Sequence, residues 1–205
     1  MKALLLVDLQ NDFLPGGALA VPGGDEVLPM AKRLQPRFEL VVATQDWHPA
    51  DHVSFAANHP GKKPGDIISL DGGPQVLWPV HCVEHTRGPE LSAALDQRRI
   101  RKVFAKGVDP QIDSYSGFYD NGRRRSTGLG EYLREQGADE IYVLGLATDY
   151  CVKATTLDAV GLGFKTWLIE DACRGVNLKS GDAERAIQEM LAAGVKLVSS
   201  EELRL

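Results

Sequence analysis

Cysteine is scarce in this chain. Three in 205 residues, an odd number, do not suggest the disulfide framework of a small secreted protein, so a reducing, cytoplasmic setting is expected. Positive charge is not in excess either. The 23 Lys and Arg against 28 Asp and Glu leave a formal net charge of −5, which argues against a nucleic-acid partner because phosphate binding needs a basic patch. The one basic run, Arg123–Arg125, reads as a solvated loop. Long hydrophobic runs are missing, so no membrane span is expected. The opening "MKALLLVD" is short, ends in Asp8 and lacks a small-residue cleavage site, which predicts a core strand rather than a signal peptide. There is no internal repeat and no low-complexity tract. What is present is ordinary for a globular protein: 43% apolar and 25% charged residues. The length suits one α/β domain over residues 1–205.

Five runs rich in Val, Leu and Ile read as strands buried on both faces: 3–7, 40–44, 102–105, 141–146 and 166–169, with a sixth at 196–199. Helical patterns fall between them. "STGLGEYLREQGA" has a Ser/Thr start and Gly137 as its stop. "DYCVKATTLDAVGLG" begins with Asp149 near its cap. "SGDAERAIQEMLAAGV" runs from Ser180 or Asp182 to Gly194. Strands alternating with helices predict βαβ units and a mainly parallel six-stranded sheet.

From Gln45 to about Gly88 the pattern shows no convincing element. The segment is rich in Pro, Gly, Asp and Trp and holds all five histidines. A loop this long within a compact domain is usually functional.

Ligands of an open parallel sheet bind outside the carboxyl ends of its strands. After the first four predicted strands come Asp8, Asp46, Lys106 and the segment leading to Cys151. Taken singly, an Asp after a strand is commonly a cap or turn residue, a Lys is solvated, and a Cys is a small buried hydrophobe. Together, Asp8, Lys106 and Cys151 form a working set. A thiolate is favoured by a neighbouring cation and a helix N-terminus, and Asp8 can accept the thiol proton. Cys82 and Cys173 read as packing residues.

"DWHPADH" (46–52) looks like part of a metal site. On an extended backbone Asp46 and His48 face the same side, and their O and N donors suit zinc, iron or manganese. A third ligand is needed, with His52, His59, His81 and His85 as candidates. His81 in "LWPVHCV" stands out because an unpaired imidazole is hard to explain in an apolar, aromatic setting. His52 reads as hydrogen-bonded beside the ligands, and His59 and His85 as solvated. Two rival readings remain: a hydrolase whose nucleophile is a metal-bound hydroxide, and a non-catalytic metabolite sensor.

With these residues in place, the chain closely resembles the nicotinamidase (pyrazinamidase) family of isochorismatase-like cysteine hydrolases. The match keeps its order over nearly the whole chain: "VDLQNDF", "TQDWHPADHVSF", "LWPVHCV", "AKGVD", "YSGF" and "GLATDYCV". The resemblance implies a three-layer α/β/α fold and hydrolysis of nicotinamide, and of pyrazinamide, to the acid and ammonia as a step of NAD salvage. It implies a triad of Asp8, Lys106 and Cys151, and one divalent ion on Asp46, His48 and His81, with zinc in first place and iron or manganese as alternatives. It implies an oxyanion hole from the backbone N–H groups of Ala147 and Cys151, next to a cis peptide at Leu146–Ala147. Phe13 and Trp78 match positions that line the substrate ring, with Tyr115 nearby. His52 matches a fourth ligand used by some relatives. Other small-amide and ureido hydrolases of the same family remain an alternative, and a homo-oligomer is compatible with the sequence.

Overall fold

The computed structural model describes residues 1–70 and 73–203. A six-stranded, all-parallel sheet forms its centre. Its strands are β1 (Lys2–Val7), β2 (Leu40–Asp46), β5 (Ile100–Lys106), β6 (Glu140–Leu146), β7 (Lys165–Arg174) and β8 (Lys196–Val198), in the order β5-β2-β1-β6-β7-β8. A separate antiparallel hairpin, β3 (Ile67–Leu70) and β4 (Gly73–Val76), interrupts the segment expected to be irregular. Flanking helices are α1 (Val27–Leu34), α2 (Leu129–Glu135), α3 (Lys153–Gly161) and α4 (Asp182–Ala192). Among the described residues no helix is long and apolar enough to cross a membrane.

The centre of the sheet follows from composition. Ala3 to Val7 are completely buried, which requires cover on both faces and therefore a continuous apolar run rather than alternation. Gly137 (φ 73°) and Gly194 (φ 100°) end α2 and α4 as expected, in the left-handed conformation that suits glycine.

Several expectations change. Helix α1 was not foreseen. Val27, Leu28, Ala31 and Leu34 form its buried stripe, but Pro29 and Pro36 disguise a helix of little more than two turns, and Pro29 is tolerated because it lies in the first turn. β2 and β5 each run further than predicted, so Asp46 and Lys106 are the last residues of their strands. β7 extends to Arg174 through an irregular step: Val143 pairs with Leu168, but Gly145 pairs with Cys173. Cys173 is thus a buried strand residue rather than one that follows the strand. α2 starts at Leu129, later than the Ser/Thr signal, and Thr127 Oγ1 accepts the Leu129 N–H. Asp149 does not cap the third helix. A single π turn over Thr148–Val152 precedes α3.

Gly145 is the tightest point between the two central strands. It has φ 134°, and a Cβ there would lie 2.1 Å from the Val7 carbonyl oxygen. Gly145→Ala should therefore lower stability by more than about 3 kcal/mol, since backbone cannot give way as a side chain would. Urea unfolding followed by circular dichroism measures this. An unchanged midpoint would mean that β6 can shift against β1.

Candidate active site and metal centre

The four adjacent strands β5, β2, β1 and β6 deliver their carboxyl ends side by side. Lys106 and Asp46 are register partners across β5 and β2. Asp8 follows β1 with φ 50°, a left-handed turn that Asp tolerates better than most residues. Thr44 holds it there: its hydroxyl donates to Asp8 Oδ1 at 2.6 Å and accepts the Asp8 N–H at 3.3 Å. After β6 the Leu146–Ala147 peptide is cis. The Ala147 carbonyl accepts from the N–H groups of Tyr150 and Val152, both at 3.1 Å. That turn carries Cys151 inward.

The Lys106 ammonium is fully buried. It lies 2.9 Å from Asp8 Oδ2, donates to Asp46 Oδ1 and to the Ser114 carbonyl (3.0 Å), and sits 3.4 Å from Cys151 Sγ. One oxygen each of Asp8 and Asp46 lies within 4.8 Å of that sulfur. Burial alone would drive the ammonium toward neutrality, but Asp46 and Asp8 outweigh it and hold Lys106 well above the ordinary amine value. Asp46 is held well below the usual carboxylate range: burial opposes its charge, but Lys106 and His48 prevail. Asp8 goes the other way, raised by burial against the pull of Lys106.

Cys151 corrects an expectation. A cation and a helix start were expected to lower its thiol pKa. Burial instead pushes the thiol well up; Lys106 pulls it down, but Asp8 and Asp46 add to the rise. The thiol and the carboxylate it faces therefore both have raised pKa values.

Asp46, His48 and His81 form a second cluster, with one ligand atom of each within 4.8 Å of the others. His48 Nδ1 faces the Gly107 carbonyl at 2.8 Å and His81 Nδ1 faces that of Pro79 at 2.7 Å. A carbonyl only accepts, so both Nδ1 atoms carry a proton, which leaves Nε2 as the ligand atom of each ring, as in metal-bound histidines. His48 Nε2 lies 3.7 Å from Asp46 Oδ2, and that carboxylate raises the His48 pKa against the effect of burial. Gly107 makes room for this. A Cβ there would lie 2.2 Å from the His48 ring, and its φ of 63° disfavours other residues. Burial lowers the pKa of His81 and keeps the ring neutral. These residues fit a divalent cation.

His52 differs. The Ser54 N–H donates to its Nδ1 at 3.3 Å, and the Ser54 hydroxyl lies 2.7 Å from the same atom. Nδ1 is then an acceptor, and the neutral ring carries its proton on Nε2, which has no partner among the described protein atoms. Burial brings its pKa down to about 4. Its ring stacks on His48 at 4.2 Å, with Asp113 nearby. His59 is less solvated than expected, since its Nε2 donates to the Val53 carbonyl at 2.7 Å. His85 is exposed. Cys82 has a φ of 47°, and its buried sulfur accepts from Gln10 Nε2 at 3.5 Å, as a packing residue.

A narrow cavity joins the two clusters. Phe13, Trp78, Tyr115, Ala147 and Cys151 line it, as do Asp46 and His81. Trp78 Nε1 donates to the Tyr115 hydroxyl at 3.2 Å. Of the residues singled out from the sequence, these seven line the cavity; Asp8, Lys106 and His48 contact lining residues from behind, and His59 and His85 are not part of it. Sequence reasoning missed Leu19, Val21, Asp113, Tyr150 and Val176, which also line it. Tyr150 could have been found, since it directly precedes the thiol and its ring meets those of Trp78 (4.8 Å) and Tyr115 (5.4 Å). Asp113 and Val176 carry no local signal.

Several known proteins resemble this chain in sequence and fold. The family profile described as Isochorismatase domain matches residues 2–202. A nicotinamidase of Escherichia coli is 54% identical over 200 residues, covering 96% of this chain and 93% of that protein. A nicotinamidase pyrazinamidase structure from Acinetobacter baumanii superposes with a TM-score of 0.96 at 49% identity, covering 99% of this chain and 98% of its own. A Pyrococcus horikoshii pyrazinamidase solved in complex with zinc gives a TM-score of 0.79 at 39% identity, covering 97% and 98%.

The buried charges are interdependent. Replacing Lys106 with Met should cost about 3–5 kcal/mol, because Asp8 and Asp46 would be left buried without their cation. Chemical denaturation of the variant against wild type measures it. A loss below about 1 kcal/mol would mean that water reaches these carboxylates.

Proposed function

The chain belongs to the isochorismatase family, and on that premise we propose that it hydrolyses nicotinamide to nicotinate and ammonia through a thioester on Cys151, as a single hydrolase domain over residues 1–205. The observation that carries this reading is the contact set of Cys151: a thiol beside a buried ammonium and a carboxylate of raised pKa, in the wall of an aromatic-lined cavity.

Asp8 takes the thiol proton as the sulfur attacks the amide carbon. Burial has raised the pKa of Asp8, which makes it a better proton acceptor than an exposed carboxylate. Lys106, 3.4 Å from the sulfur, stabilises the forming thiolate. The backbone N–H groups of Ala147 and Cys151 serve as donors to the oxyanion. Cys151 lies in the turn Thr148–Val152, where the Ala147 carbonyl is taken by the N–H groups of Tyr150 and Val152 rather than by that of Cys151. Such a donor contributes about 2.7–4 kcal/mol to transition-state stabilisation. Asp8, now protonated, gives its proton to the departing ammonia. Water then attacks the thioester, Asp8 takes the water's proton, and the sulfur recovers it as nicotinate leaves.

Phe13, Trp78 and Tyr115 hold the ring. Asp46, His48 and His81 would hold one divalent ion, with zinc as the first choice and iron or manganese as alternatives. Bound there, the ion would supply a Lewis-acid contact for the pyridine nitrogen. Pyrazinamide has a ring nitrogen in the same place and is expected as a second substrate. A reducing, cytoplasmic setting suits a reactive thiol, and the three free cysteines are all buried.

Cys151→Ala should lower ammonia release from nicotinamide by at least about 1,000-fold while leaving the metal content of the purified protein unchanged. Substantial residual activity would place the nucleophile elsewhere, as a metal-bound hydroxide would require.

Gly107→Ala should weaken metal binding by about 10–100-fold without touching a ligand, because the new methyl group displaces the His48 ring. Competition with a chelator reads this directly, and His48→Ala should show a larger loss. Wild-type affinity in both variants would remove His48 from the ligand set.

A further inference from the structure

Asp149 has no role in the chemistry above, yet it is a buried carboxylate two residues before the nucleophile, only 7% exposed. It does not cap its own turn. Its Oδ1 accepts the Val176 N–H at 2.9 Å and its Oδ2 accepts the Asn177 N–H at 2.7 Å. Charge-assisted bonds of this kind are stronger than neutral ones.

The segment it grips is held from the other side as well. Asn177 Oδ1 accepts the Ala183 N–H at 2.9 Å, in the first turns of α4. Gly175 passes so close that a Cβ would lie 2.6 Å from the Ala183 Cβ and 3.3 Å from Asp149 Oδ1. Asn177 takes a left-handed φ of 52°. The residue fixed between these anchors is Val176, and among the described residues it alone brings the β7–α4 connection to the cavity.

The cavity lining is mixed: Asp46, His81 and Asp113 contribute polar groups, and Leu19, Val21 and Val176 apolar ones. An aromatic carboxamide needs both: partners for a ring nitrogen and an amide, and apolar cover for its plain C–H edges. We propose that Val176 is the size-selecting wall for the substrate ring, and that Asp149 is the positioning residue that holds this wall in register with the Cys151 sulfur. The proposal deepens the nicotinamide hydrolase reading and rests on it. A methyl group on a ring edge facing this wall would have to displace a branched side chain whose backbone is tied to the nucleophile turn, so the site admits unsubstituted rings and rejects substituted ones.

The test compares kcat/KM for nicotinamide with that for its 2-, 5- and 6-methyl derivatives, read as ammonia release by the metal-loaded enzyme. One methyl group in an apolar pocket is worth about 10–200-fold in discrimination. Val176→Ala should therefore raise the ratio of methylated to unsubstituted substrate by about 10-fold or more for at least one isomer. Val176→Ile should lower kcat/KM for nicotinamide, mainly through KM. Asp149→Asn keeps the size but loses one acceptor, and it should shift the same ratio in the same direction as Val176→Ala. A merely structural Asp149 would lower activity on all four amides in proportion and leave the ratios alone.

Unchanged ratios for all three isomers in Val176→Ala overturn the wall. A shift in Val176→Ala without one in a folded Asp149→Asn overturns the clamp. A wild-type enzyme that releases no ammonia from nicotinamide overturns the underlying reading and this proposal with it, whereas an active wild type with unchanged ratios overturns the wall alone.

Discussion

The buried Lys106 ammonium is the constraint around which the rest of the centre is arranged. A cation with no solvent contact needs anions, and two carboxylates packed together need a cation. Asp8, Asp46 and Lys106 meet this mutual requirement only because three parallel strands end side by side, with Asp46 and Lys106 in register. One positive charge against two negative ones leaves an excess negative charge. Asp46 also meets His48 and His81, where its charge raises the His48 pKa and would equally favour a divalent cation in place of that proton. Sheet register thus sets the electrostatics of both halves of the site.

The same low-dielectric setting decides the state of the thiol. The simple expectation, that a neighbouring lysine makes a standing thiolate, fails because the ammonium is already engaged by two carboxylates. Burial then dominates and raises the thiol pKa. It raises Asp8 as well, so the carboxylate facing the sulfur is a better proton acceptor than an exposed one would be.

What could be read from the sequence follows from how local each signal is. The central strands were legible because burial on both faces demands unbroken apolar runs, and Asp8, Asp46, Lys106 and Cys151 were legible because each follows such a run. Helix α1 was obscured by two prolines. The β3–β4 hairpin was obscured because β3 alternates between exposed and half-buried residues and the buried position of β4 is the polar Gln75, which leaves little apolar contrast. Residues 71–72, at its tip, lie outside those described. In the site, Asp113 and Val176 were invisible because only distant partners give them meaning: Gln75 Nε2 bonds the Asp113 carboxylate at 2.9 Å, and Asp149 holds Val176 in place. The different behaviour of His52 and His48 also lies beyond sequence, since it depends on whether Nδ1 faces a donor or a carbonyl.

A long irregular segment that must hold three imidazoles to fractions of an ångström needs a core of its own, and Phe55 supplies it. The ring is fully buried and lies 5.5–5.6 Å from the rings of His48, His52 and His81. Its neighbours pair with the chain that carries the last histidine: Trp78 N–H donates to the Ser54 carbonyl at 2.7 Å, and Ala56 N–H donates to the Trp78 carbonyl at 2.9 Å. His48 N–H donates in turn to the Cys82 carbonyl at 2.9 Å. The two arms of the segment are thereby zipped around an apolar ring that keeps water from the histidines. That exclusion favours the neutral form of His81, against which the charges of Asp46 and Asp113 act. The absence of regular secondary structure across most of 45–88 is therefore compatible with a rigid site, because the order comes from side-chain packing and from backbone bonds between its arms rather than from helix or sheet.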